Sequence, residues 1–355
     1  MSTHRRTSLR FLIIALASLI ALNACSAFDP PPTPPLVSET TASSDWLAVY
    51  FTEPGNTSLR GGPDSHLAAA IDAARVSVDA ALYDLDLWSI RDALLAAHQR
   101  GVAVRLVVES DSLDRPELQA LIAAGIPVLG DRRDSLMHDK FVVIDHGEVW
   151  TGSMNLTVNG AYRNDNNLLR VRSTQLAENY THEFEEMYLQ DLFSDASRRD
   201  DTPNPAITVN GVPIATAFSP DDGVQALLLA TIDQATESVY LLAYALTADP
   251  ISAALAAARD RGLTVAAVLD AGQVGASGAD YPFLLESGIP VRLDGNPSRM
   301  HHKVLILDGH IVVTGSYNFT RSAEERNDEN VLVIDSRDLA AQYLAEFARI
   351  LDLSK

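Results

Sequence analysis

The chain has 355 residues, of which 47% are hydrophobic and 21% are charged, and its formal net charge is −20 at pH 7. This composition is typical of a globular protein with one large or two medium domains, and the single cysteine excludes an intramolecular disulfide. A surface this acidic repels polyanions and lacks the basic footprint of non-specific nucleic-acid binders, although the local field at an active site can still be positive.

The N-terminus has the pattern of a secretory signal. Residues 1–10 carry three arginines, residues 11–22 form a short apolar run, and Leu22-Asn23-Ala24-Cys25 follows. This order predicts a signal peptide over residues 1–24. The last four residues resemble a bacterial lipobox, so we expect Cys25 to be lipidated and to anchor the secreted protein to a membrane of the cell envelope. The alternative is an ordinary signal peptide followed by an incidental cysteine.

The segment after the signal, residues 25–45, is rich in Pro, Ser and Thr and includes the run Pro30-Pro31-Pro32-Thr33-Pro34-Pro35. Such a composition buries little apolar surface, so it predicts an extended tether between the lipidated cysteine and the body of the protein. A polyproline ligand for a partner protein is the alternative interpretation.

Strand and helix patterns alternate through residues 46–192, which we predict to be the first domain. Apolar β-forming runs predict strands at 76–83, 102–108, 126–129 and 167–171, and periodic segments predict helices at 66–74, 89–99, 116–124 and 175–188. The run 102–108 is almost continuously apolar, as in a strand that is buried on both faces of a sheet. This alternation indicates an α/β sandwich.

The same order repeats in residues 212–355, the predicted second domain, after a predicted linker at residues 193–211. Strands are predicted at 238–244, 263–269, 288–291 and 331–334, and helices at 222–235, 250–261, 281–286 and 340–351. Gly125-Ile126-Pro127-Val128 matches Gly288-Ile289-Pro290-Val291 at an offset of 163 residues. A duplication of this length predicts an α/β fold with two homologous α/β/α sandwich domains packed about a pseudo-twofold axis.

One motif occurs once in each half, with the spacing H-x-K-x4-D-x6-G-S-x-N. Its residues are His138, Lys140, Asp145, Gly152, Ser153 and Asn155 in the first copy, and His301, Lys303, Asp308, Gly315, Ser316 and Asn318 in the second. Alternate side chains of a strand share a face, so the His and the Lys of each copy point the same way. Each copy predicts a β-hairpin, and two hairpins facing each other would supply a complete set of groups for one phosphodiester.

The residue types of the motif suggest specific roles at such a centre. One His would attack phosphorus while the other protonates the leaving oxygen. The lysines would hold the non-bridging oxygens, and the asparagines would add amide N–H donors. The side chains predicted to act in these ways are His138, His301, Lys140, Lys303, Asn155 and Asn318.

The remaining motif residues have two interpretations each. Ser153 and Ser316 are predicted to donate hydroxyl groups to the phosphate or to a neighbouring His, or else to serve the turn. Asp145 and Asp308 complete the predicted catalytic motifs, although their position beyond the far end of the hairpin favours a structural role as acceptors of backbone N–H groups.

The paired motifs resemble those of the phospholipase D superfamily, and the resemblance covers nearly all of the chain after the N-terminal segment. It implies a pseudo-twofold α/β fold, a covalent phosphohistidine intermediate, and no metal or cofactor. It also implies that His138 is the nucleophile and His301 the general acid. A Glu beyond the second motif commonly orients a catalytic His in this family. Glu329 matches that position, whereas its counterpart Asn166 is uncharged, so we expect the two histidines to differ in pKa.

These features together predict a phospholipase D-type hydrolase that cleaves phospholipid headgroup esters to phosphatidic acid and acts as a monomer. The predicted lipid anchor, the acidic charge and the envelope location favour a phospholipid substrate over a nucleic acid. A metal-independent endonuclease of the same superfamily is the first alternative, a phosphatidyltransferase is the second, and a binding lipoprotein without catalytic activity is the third.

Overall fold

The structure, a computed structural model, describes residues 45–355. The predicted signal peptide, the predicted lipidation site at Cys25 and all but the last residue of the predicted tether lie outside the described residues. Within residues 45–355, no helix combines the length and the apolar character that crossing a bilayer requires.

The first half is built on a seven-stranded mixed sheet. Its strands are β1 (Leu47–Phe51), β2 (Ser77–Leu82), β3 (Ala103–Val108), β4 (Val128–Gly130), β5 (Lys140–Ile144), β6 (Glu148–Gly152) and β7 (Asn167–Arg172). They lie in the order β1-β7-β6-β5-β2-β3-β4. Strands β2, β3 and β4 are parallel, whereas β5 and β6 form an antiparallel hairpin that joins β2 to β7.

The second half repeats this sheet and adds one strand. Its strands are β8 (Ala206–Val209), β9 (Val212–Ser219), β10 (Ser238–Ala243), β11 (Thr264–Leu269), β12 (Val291–Leu293), β13 (Lys303–Leu307), β14 (Ile311–Gly315) and β15 (Glu329–Asp335). They lie in the order β12-β11-β10-β13-β14-β15-β9-β8. Strand β9 occupies the position that β1 has in the first sheet, and β8 extends the edge beyond it.

Helices cover the outer face of each sheet and fill the space between the sheets. The first half contains α1 (Pro63–Ala73), α2 (Trp88–Gln99), α3 (Pro116–Ala123), α4 (Val158–Tyr162) and α5 (Thr174–Gln190), and the second contains α6 (Val224–Gln234), α7 (Asp249–Asp260), α8 (Tyr281–Glu286), α9 (Arg321–Glu325) and α10 (Arg337–Leu353). One apolar core joins α1, α2 and α3 to the first sheet, and a second joins α6, α7 and α8 to the other sheet.

The two longest helices, α5 and α10, pack in the core between the sheets. Each begins at a serine cap, because the side chains of Ser173 and Ser336 accept hydrogen bonds from the backbone N–H groups of Leu176 and Leu339. Their apolar side chains recur at helical spacing, so each helix has a buried face toward this shared core. The buried apolar residues are Leu176, Ala177, Tyr180, Phe184 and Met187 in α5, and Leu339, Ala340, Tyr343, Leu344, Phe347 and Ile350 in α10.

The predicted fold class is confirmed, because both halves are α/β and share one strand order. The sequence interpretation missed β1 and β9, which form through antiparallel pairing with β7 and β15 rather than through a strong local pattern. Residues 193–211, predicted to be a linker, contain β8, which pairs with β9. The second sheet therefore begins inside the predicted linker.

Candidate active site

Each motif begins against the opposite half of the chain. The His138 N–H donates to the carbonyl oxygen of Asp328 at 3.0 Å, and the Asp328 N–H donates to the carbonyl oxygen of Leu136 at 3.0 Å. The His301 N–H makes the matched bond to the carbonyl oxygen of Asp165, at 2.9 Å. These exchanged backbone bonds bring the His–Lys ends of the two hairpins together.

A carboxylate from the second half holds His138. The Nδ1 atom of His138 lies 2.8 Å from Oε2 of Glu329, and both side chains are buried. In its ionised form Glu329 can only accept this hydrogen bond, which places the shared proton on Nδ1 and leaves the lone pair of Nε2 free. Burial raises the pKa of Glu329 to about 7, although the charge of Lys140 acts to lower it. The sequence interpretation identified Glu329 as an orienting residue without indicating which histidine it serves.

Uncharged acceptors from the first half hold His301. Its Nδ1 lies 3.0 Å from Oδ1 of Asn166 and 3.1 Å from the carbonyl oxygen of Ser153. The Asn166 amide nitrogen donates to the carbonyl oxygen of Gly160 at 2.9 Å, which turns its oxygen toward the ring. A backbone carbonyl cannot donate, so Nδ1 of His301 carries the proton and Nε2 accepts from Nζ of Lys303 at 3.3 Å.

Four buried nitrogen bases crowd one small volume. Burial lowers the pKa of Lys140 to about 8, and burial together with the charge of Lys140 lowers the pKa of Lys303 well below its ordinary value. Burial and the two lysine charges also lower the pKa of His138 and His301 well below 6.5. A site that disfavours its own positive charges so strongly is complementary to an anion, because an anion would restore the charged lysines.

Two half-buried tyrosines, matched in the duplication, flank this centre. The ring of Tyr83 lies 4.8 Å from the ring of His138, and the ring of Tyr244 lies 4.7 Å from the ring of His301, both edge to face. The guanidinium of Arg299 lies 5.5 Å above the Tyr244 ring and donates to its hydroxyl group. Sequence reasoning missed Arg299, because it lies outside the motif. It adds a positive charge beside the His301 end of the centre.

The motif aspartates, included in the predicted catalytic set, lie at the opposite ends of their hairpins from the histidines. Each accepts several backbone N–H groups that lead into the neighbouring strand. The donors are Arg75, Val76 and Ser77 for Asp145, and Thr236, Glu237 and Ser238 for Asp308. Burial alone would raise their pKa values, but these bonds hold the pKa of both carboxyl groups below the ordinary value. These contacts match the structural role that the sequence favoured, since both residues anchor the hairpins, and the catalytic role stays a prediction.

The motif serines form hydrogen bonds with the segments that carry the histidine-orienting residues. The Ser153 hydroxyl donates to Oδ1 of Asn166 at 2.9 Å, and the Ser316 hydroxyl accepts the Asn330 N–H at 2.9 Å. Both side chains are fully buried. Both hydroxyls bond to the segments that orient the histidines, and a contact with phosphate stays a prediction.

The motif asparagines Asn155 and Asn318 lie two residues beyond these serines and are half-buried. The Oδ1 atom of each has no hydrogen-bond partner in the described part of the chain. Their role as amide donors to phosphate stays a prediction. Sequence reasoning missed a second matched pair, Asn167 and Asn330, which ends the repeated pattern N-D-x-N and links the two halves through side-chain hydrogen bonds.

Comparison with known proteins gives matches to both halves. Residues 67–188 and 228–351 match the family model described as cardiolipin synthase, PLD-like domain. A protein from Rickettsia felis named phospholipase D is 38% identical over 131 residues, which are 37% of this chain and 66% of that protein. A human protein named mitochondrial cardiolipin hydrolase is 34% identical over 123 residues, which are 35% of this chain and 49% of that protein. The chain therefore spans less than two thirds of the length of either relative.

A solved structure also matches the fold. The phosphatidylserine synthase of Haemophilus influenzae aligns over 82% of this chain and 84% of that chain, with a TM-score of 0.62 and 13% sequence identity. At this identity the match shows a shared fold and nothing about the reaction.

The electrostatics of the site predict that anion binding weakens as the pH rises. Lys140, with a pKa of about 8 before binding, would be charged at pH 7 and mostly neutral at pH 9, and a bound anion favours the charged form. Sulfate keeps its charge over this range, so its dissociation constant, measured by calorimetry, should rise about tenfold or more from pH 7 to pH 9.

Lys140→Arg is the matched control, because a guanidinium stays charged at pH 9 and should make this rise smaller. An affinity for sulfate that does not change between pH 7 and pH 9 in the unmodified protein would contradict this description of the site.

Proposed function

The chain belongs to the phospholipase D-like family, whose model matches both of its halves, and from this membership we propose that it is a phosphodiesterase whose two motifs act on one phosphorus. The observation that carries the proposal is the meeting of His138 and His301 from opposite halves, each with a lysine on its own strand. Neither half by itself supplies both a nucleophile and an acid.

In the first step, Nε2 of His138 attacks phosphorus and the bond to the leaving alcohol oxygen breaks. Glu329 accepts the Nδ1–H bond, which fixes the tautomer and stabilises the positive charge that develops on the ring. His301, in its protonated form, donates its Nε2 proton to the departing oxygen. The charge of the bound diester offsets the repulsion from the lysines and so favours this protonated form.

In the second step, His301 acts as a base. Its neutral Nε2 takes a proton from water, the resulting hydroxide attacks the phosphorus, and the bond from phosphorus to Nε2 of His138 breaks. The products are a phosphate monoester and the starting form of His138. Asn166 and the Ser153 carbonyl keep the His301 ring in one orientation through both steps.

Charge on the phosphoryl oxygens is matched by two ammonium groups. Lys140 and Lys303 lie on the same strand faces as the catalytic histidines, and both are buried, where their interaction with an anion is weakly screened. Asn155 and Asn318 would add neutral donors. The reaction at phosphorus therefore needs no metal ion to stabilise its developing charge.

For the substrate we propose a phospholipid headgroup ester, with phosphatidic acid as the product. The acidic net charge of −20 disfavours a long polyanion, and lipidation of Cys25 would hold the enzyme beside its substrate in the cell envelope. Fractionation of a Cys25→Ser variant into the soluble pool would support this anchor. A nuclease of the same superfamily remains the alternative, because the chemistry at phosphorus is shared.

Replacing either histidine should remove turnover. His138→Asn and His301→Asn should each slow choline release from phosphatidylcholine by at least about 10²–10⁴-fold, since an alkoxide leaving group needs both the nucleophile and the acid. His146→Asn is the control, because His146 lies at the far turn of the first hairpin, where it contacts Ser77. Turnover near the unmodified rate in either catalytic variant would show that the role assigned to that residue is wrong.

Substrate class is tested with the purified protein on phosphatidylcholine micelles, cardiolipin micelles, single-stranded DNA and bis(p-nitrophenyl) phosphate. We expect phosphatidic acid from the lipids at a rate well above DNA cleavage. His138→Asn protein from the same preparation reveals any contaminating nuclease. DNA cleavage that is faster than lipid hydrolysis and is lost in that variant would identify a nuclease instead.

A further inference from the structure

Behind the catalytic strand of the second half lies a network in which a histidine and an arginine hold two buried carboxylates. The Glu346 carboxylate lies 3.0 Å from Nε2 of His302 and accepts from the guanidinium of Arg349 at 2.7 Å. Arg349 also donates to Asp165 of the first half at 2.5 Å. Burial would raise the pKa of Glu346, yet the bonds from Arg349 and His302 lower it to about 2. Cationic and hydrogen-bonding side chains thus stabilise the buried carboxylates here.

The four positions related to these by the duplication, three in the first half and one in the second, are all acidic. They are found by the 163-residue offset of the duplication: Asp139 matches His302, Glu183 matches Glu346, Glu186 matches Arg349, and Asp328 matches Asp165. In the second half Arg349 pairs with Asp165. The residues at the related positions are Glu186 and Asp328, and both are acidic. No cation stands at the four matched positions; the guanidinium beside Glu186 is that of Arg198, an exposed side chain whose Nε lies 4.0 Å from Oε1.

Four carboxyl groups in this region each have one oxygen that the protein does not satisfy, although Asp139, Glu186 and Asp328 each accept a hydrogen bond through the other oxygen. Oδ2 of Asp139, Oε2 of Glu186, Oδ2 of Asp328 and Oδ1 of Asp221 are buried and have no hydrogen-bond partner among residues 45–355. Glu186 and Asp328 are each only 1% exposed. Buried polar atoms normally have partners, so several unpartnered carboxylate oxygens in one region indicate a missing positive group.

Three acidic side chains in this region lie close enough together to hold one ion. Oxygens of Glu183, Glu186 and Asp221 all lie within 4.8 Å of one another. Opposite oxygens around calcium are about 5 Å apart, since each lies at 2.3–2.6 Å from the ion, so three such oxygens fit one coordination sphere. Glu183 and Glu186 come from α5 of the first half, and Asp221 comes from the loop between β9 and α6 of the second.

We infer that Glu183, Glu186 and Asp221 bind a hard divalent cation, best matched by calcium, which replaces in the first half the positive charge that Arg349 supplies in the second. The ion would tie α5 to the second half of the chain. The ion would lie behind the catalytic strand, on the same side as Asp139. That side chain points to the opposite face from His138 and Lys140 and contacts Asn330. The role of the ion is therefore structural and separate from the chemistry at phosphorus.

Protons are the other means by which the charge of this cluster could be neutralised. Burial and the charges of Asp221 and Asp139 raise the pKa of Glu183 well above its ordinary value, and burial raises the pKa of Asp221 to about 8. Ion binding would displace these protons, as at other carboxylate sites. Protonation alone is the competing explanation of the cluster, and a direct count of bound calcium separates the two.

The test uses the purified protein after removal of metals with EDTA. Equilibrium dialysis should find one calcium ion per chain, and calorimetry should find the midpoint of thermal unfolding raised by about 5–10 °C at calcium concentrations near 100 times the dissociation constant. No bound calcium, together with equal midpoints in calcium and in EDTA, would overturn the inference.

Two variants assign the ion to this cluster. Glu186→Arg restores the residue type found at Arg349, so it should raise the midpoint of the metal-free protein and remove the response to calcium. Glu186→Gln, which keeps the shape of the side chain, should weaken calcium binding at least tenfold. Glu286→Gln, at an exposed position at the end of α8, is the control and should bind calcium normally. Unchanged binding in Glu186→Gln would refute the site.

The readouts keep this inference separate from the proposed reaction. Hydrolysis measured well below the unfolding midpoint should continue in EDTA, because the ion does not contact the phosphorus site. The calcium count and the thermal midpoint do not depend on whether the protein is a phosphodiesterase.

Discussion

The backbone hydrogen bonds that join each motif to the opposite half are the interaction on which the rest of the structure depends. They fix His138 against Asp328 and His301 against Asp165, just before the catalytic strands begin. With these bonds in place, the residue that follows Asp328 lies behind His138, and the residue that follows Asp165 lies behind His301. The halves therefore complete each other, and the candidate active site forms where they meet.

The two halves differ at the positions whose side chains hold the two motif histidines. Glu329 and Asn166 are matched residues, yet the first gives His138 a carboxylate and the second gives His301 an amide. A nucleophile that becomes positively charged benefits from the carboxylate, and an acid that must release its proton benefits from a neutral partner. A second difference between the halves lies behind the catalytic strands, where Arg349 of α10 is matched by Glu186 of α5. The two halves thus provide different side chains at matched positions.

The fold and the motif residues were predictable because both are local patterns that occur once in each half. The partners of the motif residues were not, since Glu329 and His138 are 191 residues apart and belong to different sheets. Sequence reasoning left the role of Ser153 open between the phosphate, a neighbouring His and the turn, because the hydrogen bond of its hydroxyl to Asn166 depends on how the chain folds. Strands β1 and β9 were missed for the same physical reason, because distant strands stabilise them.

The central claim is that His138, held by Glu329, is the nucleophile and His301 is the acid at the same phosphorus. Rapid-quench kinetics with bis(p-nitrophenyl) phosphate test it directly, because p-nitrophenolate departs without a proton. His301→Asn protein should release about one equivalent of p-nitrophenol in a burst and should carry the phosphoryl group on His138, since only the second step still needs the base. A burst from His138→Asn protein, with none from His301→Asn protein, would contradict the account.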